Sequence, residues 1–76
     1  MKIELGFYLT KNNILIEITH ISNKNVYYPV AGRAVDSKLV YNFTLNGKFV
    51  GFGEDNECDL VKFLGKNEDK IPEYFI

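Results

Sequence analysis

The sequence predicts an all-β domain, and three observations lead to this prediction. Apolar and polar residues alternate in several short runs, as they do in strands with one buried face. Clusters rich in Asn, Ser and Gly separate these runs, as is typical of turns between strands. The clearest cluster is Asn46-Gly47, the dipeptide that best fits a tight turn between antiparallel strands. Residues 39–53 around it are therefore the segment on which we expect the other strands to pack.

The length of the chain limits what it can do. Its 76 residues form one domain, residues 1–76, with one thin core and little room for a deep cleft. A net charge of −1 provides no overall field that would attract nucleic acid or an anionic membrane. The N-terminal residues do not resemble a signal peptide, and Cys58 is the single cysteine, so we expect a cytoplasmic protein.

Two strands are predicted at the start of the chain. Residues 3–9 alternate between apolar and polar positions, with Tyr8 on the outer face. Residues 14–21 follow and are rich in β-branched side chains. A two-residue loop of Asn between the strands would place Leu9 opposite Ile16, so that the apolar faces of the two strands agree.

The middle of the chain is predicted to contain a turn, a strand and a loop. Residues 22–25 have the composition of a turn. Residues 26–30 form a short strand at an edge of the sheet, because Pro29 cannot donate a ladder hydrogen bond. Residues 31–38 show no clear period and are expected to be a connecting loop.

The central hairpin follows from its turn. With Asn46 and Gly47 as a two-residue type I′ loop, Phe43 lies opposite Val50. This register places Phe49 on the face opposite to that of Phe43.

Residues 54–76 allow two interpretations. In the first, a helix spans 56–64 with Asp55 as its N-cap, which makes the fold α+β, with an antiparallel sheet and one helix. In the second, residues 59–63 and 70–76 are strands, and the fold remains all-β.

Several segments resemble one known family. Residues 15–19 and 22–27 look like the early strands of small bacterial immunoglobulin-like modules, and residues 43–53 are similar to their later hairpin. Residues 59–63 and 65–71 resemble their last two strands. The resemblance implies a small immunoglobulin-like antiparallel β-sandwich of six or seven strands, without the Cys and Trp core of full immunoglobulin domains. It implies no particular function.

The sequence offers no catalytic constellation and no cofactor or metal site, so we expect no enzymatic activity. His20 is the only histidine and has no partner at a recognisable motif spacing. Cys58 lies between Glu57 and Asp59, whose charges would raise the thiol pKa and oppose activation. A calcium loop is excluded because Leu60 stands where such a loop needs Gly.

The residues that remain favour a protein-binding module. Aromatic and arginine side chains are the usual anchors of interfaces, and an acidic segment can complement a basic partner such as an enzyme or a toxin. We expect an intracellular inhibitor or antagonist of the immunity-protein or phage anti-defence kind, which acts by steric occlusion. The predicted contact residues are Tyr8, Tyr27, Arg33, Phe49, Glu54, Asp55, Glu57 and Asp59.

Two alternatives remain open. One is a β-fold that binds single-stranded nucleic acid through its basic and aromatic residues, against which the net charge of −1 counts. The other is a subunit of a homo-oligomer, since an exposed sheet with aromatic side chains favours self-pairing. The basic and aromatic residues of the first alternative are Lys11, Lys24, Arg33, Lys38, Lys48, Tyr27 and Phe49.

Overall fold

A computed structural model of the chain describes residues 2–22, 24, 26–49 and 55–66. These residues form one five-stranded antiparallel sheet with the order β4-β3-β2-β1-β5. The strands are β1 (Gly6–Thr10), β2 (Leu15–Ile21), β3 (Val30–Ala34), β4 (Val40–Phe43) and β5 (Leu60–Gly65).

The all-β class is confirmed, and the helix predicted over 56–64 is wrong because β5 occupies most of that range. The described residues form a single sheet, where the sequence predicted two packed sheets. The strands predicted over 50–53 and 70–76 lie outside the described residues.

The turn between β1 and β2 has three loop residues, and this changes the predicted register. Thr10 and Ile14 close the loop, with the Thr10 N–H donating to the Ile14 carbonyl at 3.0 Å. Asn13 adopts the left-handed conformation, φ 66°, which Asn tolerates better than most residues. The extra loop residue shifts the pairing by one position, so that Leu9 pairs with Leu15 and not with Ile16.

The turn after β4 has the same construction. The Thr44 N–H donates to the Lys48 carbonyl, and the Lys48 N–H donates to the Thr44 hydroxyl oxygen. Gly47 supplies the left-handed residue with φ 84°, while Asn46 has no positive φ. The loop is therefore a three-residue turn and not the predicted type I′ turn. Phe49 consequently packs beside Phe43, with ring centroids 6.0 Å apart. The two side chains lie on the same face, whereas the predicted register placed them on opposite faces.

The predicted position of the third strand is wrong. Residues 26–29 are not in a strand, and β3 (Val30–Ala34) begins at the last residue of the predicted strand and continues through the first four residues of the predicted loop. Ala and Gly have low strand propensity, so the pattern gave no strand signal here. The small residues are needed for packing, because a Cβ on Gly32 would lie 2.8 Å from side-chain carbons of both Ile16 and Ile18.

Strand β1 is buried on both faces, which overturns its predicted alternation. Tyr8 is 1% exposed and belongs to the main core cluster, whereas Phe7 packs with Leu9 and Leu15 in a second cluster. Leu5, which falls at an apolar position of the predicted alternation over residues 3–9, is 51% exposed and precedes the strand. Tyr8 was predicted to be an outer contact residue because the alternation of apolar and polar residues along a strand does not reveal that both faces of the strand are buried.

The sheet curls so that the turn after β4 meets the start of β5. The Leu60 N–H donates to the Gly47 carbonyl at 2.9 Å, and the Ile3 N–H donates to the Leu45 carbonyl at 3.3 Å. Ile3 and Leu60 are both buried in the main core cluster. The N-terminal segment and the 44–47 turn thus cover one end of the core, in which Phe43 of β4 is fully buried.

Candidate functional site

A groove lies along β4. Its volume is about 400 Å³, and four consecutive residues of the β4 segment, Leu39 to Asn42, line one wall. Leu39 is 60% exposed and Val40 is 67% exposed, so two adjacent aliphatic side chains expose apolar surface beside the groove. Tyr28 and Phe49 complete the lining. We refer to these six residues, 28, 39–42 and 49, as the β4 groove.

An aromatic cluster supports the inner side of the β4 groove. The rings of Tyr41 and Phe43 are stacked, with centroids 6.2 Å apart and an interplanar angle of 9°. Phe49 packs against Tyr41 at 5.9 Å in a tilted geometry. Such pairs stabilise beyond their buried area, so this wall of the groove is preorganised.

The backbone groups of β4 alternate between the side that faces β3 and the opposite side of the strand. The Leu39 carbonyl accepts from the Ala34 N–H, which fixes Leu39, and by alternation Tyr41, as residues that face β3. The backbone groups of Val40 and Asn42 therefore point away from β3. In the described ranges β4 pairs with β3 alone.

Two cations lie at one end of the β4 groove. Arg33 is exposed and pairs in register with Val40, so both side chains are on the outer face of the sheet. Lys38 is exposed, immediately precedes Leu39 and adopts φ 64°. Within the described part of the chain neither cation has a carboxylate within ion-pairing distance. Glu17 of β2 pairs in register with Arg33, so an exposed carboxylate shares this face of the sheet with Arg33.

The acidic segment is used internally. Asp59 is 5% exposed, and its carboxylate accepts the Phe49 N–H at 2.8 Å, the Asn56 N–H at 3.0 Å and the Lys48 ammonium at 3.3 Å. The same Lys48 ammonium also donates to Asp55 at 2.8 Å. These contacts tie the segment before β5 to the residues that follow the Thr44 turn.

The charges of this cluster shift the pKa of each member. Burial alone would raise the pKa of Asp59, but the N–H groups of Phe49 and Asn56 and the Lys48 ammonium together hold it below its ordinary value. Hydrogen bonds to Asp55 and then to Asp59 raise the pKa of Lys48. The bond from Lys48 lowers the pKa of Asp55. Asp55 and Asp59 are thus ionised and already paired at neutral pH.

The structure does not bring the predicted contact residues into one surface. Tyr8 is in the core, with its hydroxyl accepting the Glu4 N–H at 3.0 Å, so it is not a surface anchor. Phe49 is half-buried and lines the β4 groove. Tyr27 is 78% exposed and directly precedes Tyr28 of the groove.

The predicted acidic residues differ in their availability. Asp59 is buried in the ion-paired cluster, whereas Asp55 and Glu57 are exposed. Glu54 lies outside the described residues. The sequence interpretation missed Leu39 and Val40, although a pair of aliphatic residues directly after a turn was a signal that could have been used.

The two residues considered for catalysis do not meet. Cys58 lies in the turn before β5, beside the β1–β2 loop, because the Asn12 N–H donates to the Glu57 carbonyl. His20 is near the far end of β2, about 20 Å along the strand at 3.3 Å per residue. Burial, followed by the charges of Glu57 and Asp59, raises the Cys58 pKa, as predicted from its neighbours. The thiol is therefore protonated at neutral pH and has no histidine beside it.

The described ranges contain no helix with the length and apolar character needed to cross a membrane. The chain matches no family model, no curated protein and no solved structure among those compared. The immunoglobulin-like resemblance consequently stays a prediction at the level of architecture.

Proposed function

We propose that this chain is a non-enzymatic protein-binding module and that the β4 groove is its contact surface. The observation that carries the proposal is the exposure of Leu39 and Val40 on the rim of a groove with an aromatic wall. A contiguous exposed apolar patch marks a candidate interaction site, and the groove adds Tyr28 and Tyr41, a residue type that is enriched at the energetic centre of interfaces.

The proposal moves the contact surface away from the acidic segment. Asp55 and Asp59 are already paired with Lys48, so a basic partner would have to displace an internal ion pair. Arg33 and Tyr27 are both exposed. Arg33 lies near the groove because it pairs in register with Val40, and Tyr27 lies near it because it precedes Tyr28 in the chain. The predicted contacts Tyr27, Phe49 and Arg33 therefore stay in the proposal, the buried Tyr8 does not, and the acidic residues are not its main contacts.

Inhibition of another protein is the binding function that best suits a protein of this size. A domain of 76 residues can cover an active site or a docking surface by steric occlusion without supplying chemistry of its own. The proposed role is thus an intracellular inhibitor or antagonist, with an immunoglobulin-like architecture as the expected form of the complete fold.

The test compares two matched valine substitutions. Tagged protein is used to capture partners from a lysate of its own source, and each partner is measured again with Val40→Thr and with Val61→Thr. Both valines lie on outer strands among the described residues, and they are 67% and 50% exposed. We expect a stoichiometric partner that is lost with Val40→Thr and retained with Val61→Thr. Equal binding by both variants, or capture of nucleic acid alone, would contradict the proposal.

A further inference from the structure

We infer that Asn46 is a site of spontaneous deamidation, in which the Gly47 nitrogen expels the side-chain ammonia of Asn46 when the turn after β4 opens locally. The reaction needs only water, and it leaves aspartate or isoaspartate at position 46. Asn46 is not one of the residues of the β4 groove, so this chemistry does not depend on whether the groove binds a partner.

The Asn46-Gly47 dipeptide has the composition that favours this reaction. A backbone nitrogen attacks the side-chain carbonyl carbon of the preceding Asn most readily when its own residue is Gly, because no Cβ shields the nitrogen or restricts the backbone. Asn46 is the only Asn in the chain that is followed by Gly. Asn46 is also exposed, so water reaches the reacting carbon.

The atoms balance with water as the only co-reactant. The Gly47 N–H loses its proton to hydroxide, the nitrogen bonds to Cγ of Asn46, and the bond from Cγ to the side-chain nitrogen breaks. Ammonia leaves with a proton taken from water, and a cyclic succinimide remains. Water then opens the ring. Cleavage at Cγ gives aspartate, whereas cleavage at the main-chain carbonyl carbon gives isoaspartate, whose backbone contains an extra carbon.

Two hydrogen bonds and close packing restrain Gly47 in the folded turn. The Gly47 N–H donates to the Thr44 carbonyl at 2.9 Å, and the Gly47 carbonyl accepts the Leu60 N–H at 2.9 Å. Gly47 is buried, and a Cβ on it would lie 3.0 Å from the Ile3 side chain and 3.2 Å from Cβ of Leu60. The nitrogen therefore reaches Asn46 only after the turn has opened, and the rate of deamidation measures that opening.

The two products differ in what they do to the turn. In the isoaspartate form an extra backbone carbon precedes Gly47, where Ile3 and Leu60 leave little room for Gly47 to move. We therefore expect this form to lose the bond from the Leu60 N–H to the Gly47 carbonyl, at the start of β5. The aspartate form keeps the ordinary backbone and should fold as the original chain does.

Mass spectrometry of the digested protein measures the reaction after incubation at mildly alkaline pH, in buffer and in guanidinium chloride above the unfolding transition. We expect the peptide that contains Asn46 to gain about one dalton in both solutions, at least about tenfold more slowly in buffer. Asn46→Gln, which would have to form a larger ring, should gain none. Equal rates in the two solutions, or no gain in guanidinium chloride, would overturn the inference.

Two matched threonine substitutions locate the opening. Thr44→Val removes the hydroxyl that accepts the Lys48 N–H at 3.1 Å, and Thr10→Val removes the equivalent acceptor from the turn between β1 and β2. In buffer Thr44→Val should deamidate about fivefold faster, because one bond that closes the turn is lost, and Thr10→Val should keep the original rate. Equal acceleration in both variants, or in neither, would show that the turn does not open by itself and would overturn the inference.

Asn46→Asp separates the new charge from the altered backbone. The isoaspartate form is isolated by chromatography and compared with Asn46→Asp by urea unfolding. We expect Asn46→Asp to unfold at the same urea concentration as the original protein and the isoaspartate form to unfold at a lower one. An isoaspartate form as stable as Asn46→Asp would contradict the claim that the modified turn cannot re-form.

Discussion

The carboxylate of Asp59 organises the segment before β5, and its replacement by Asn tests this role. Asp59 accepts two backbone N–H groups, from Phe49 and Asn56, while almost fully buried. In Asp59→Asn the amide oxygen can replace one acceptor, but the NH₂ group then faces the second donor. Loss of one charge-assisted hydrogen bond of this kind costs about 2 kcal/mol. For a domain of this size we expect the melting temperature to fall by about 8–16 °C.

The pH dependence of the free energy of unfolding tests the same role of Asp59. Because the pKa of Asp59 is lowered in the folded protein, the carboxylate contributes stability that is fully present above its unfolded pKa of about 3.9. This contribution is lost as the pH falls through the folded pKa. The difference in free energy of unfolding between wild type and Asp59→Asn should therefore be constant above about pH 5 and should shrink below about pH 4.

Urea unfolding followed by circular dichroism at pH 7, 5 and 3 provides the assay. Glu57→Gln is the control, because Glu57 is exposed two residues away and should change stability by less than about 0.5 kcal/mol. A wild-type stability that exceeds that of Asp59→Asn by the same amount at pH 3 and pH 7 would refute the ionised, hydrogen-bonded role. An unchanged stability of Asp59→Asn at pH 7 would refute it as well.

Three further substitutions test the packing and the turns, each by urea unfolding at neutral pH. Gly32→Ala should cost about 1–3 kcal/mol, because the new methyl group would overlap two isoleucine side chains of β2, and a stable variant would contradict this packing. Tyr8→Phe should cost about 1 kcal/mol through loss of the hydroxyl that accepts the Glu4 N–H, and a cost near zero would show that this bond is not formed. Thr10→Val should cost about 1–2 kcal/mol, because the buried hydroxyl that accepts the Ile14 N–H is lost, and an equal or higher stability would contradict its role in the turn.

The sequence predicted the class of fold because strand alternation and turn chemistry are local properties. Strand β2 and the strand interpretation of residues 59–63 are confirmed almost to their ends. Both hairpin registers were wrong by one residue, since a left-handed Asn or Gly fits a two-residue loop and a three-residue loop equally well. The useful local signal was a threonine three positions before the left-handed residue, Thr10 in the first loop and Thr44 in the second. The hydroxyl of each threonine accepts the backbone N–H of the first residue after its loop.

Other features depend on contacts that no local pattern contains. Gly32 lies in a strand because the neighbouring β2 leaves no space for a side chain, a reason that belongs to the partner strand. Tyr8 is buried because β1 has a strand on each side and apolar clusters over both faces. The β4 groove is assembled from three separate segments, around Tyr28, Tyr41 and Phe49, and so required the fold to be known.

The most direct test of the central claim is a comparison of the free protein with its captured partner complex by amide-resolved NMR cross-saturation. The account predicts that saturation of the partner transfers to the amides of Leu39–Asn42 and of Tyr28, and that the amides of β5 from Val61 to Phe63 are unaffected. Transfer concentrated on β5, or on the acidic turn at Glu57, would contradict the account and would place the contact surface elsewhere on the domain.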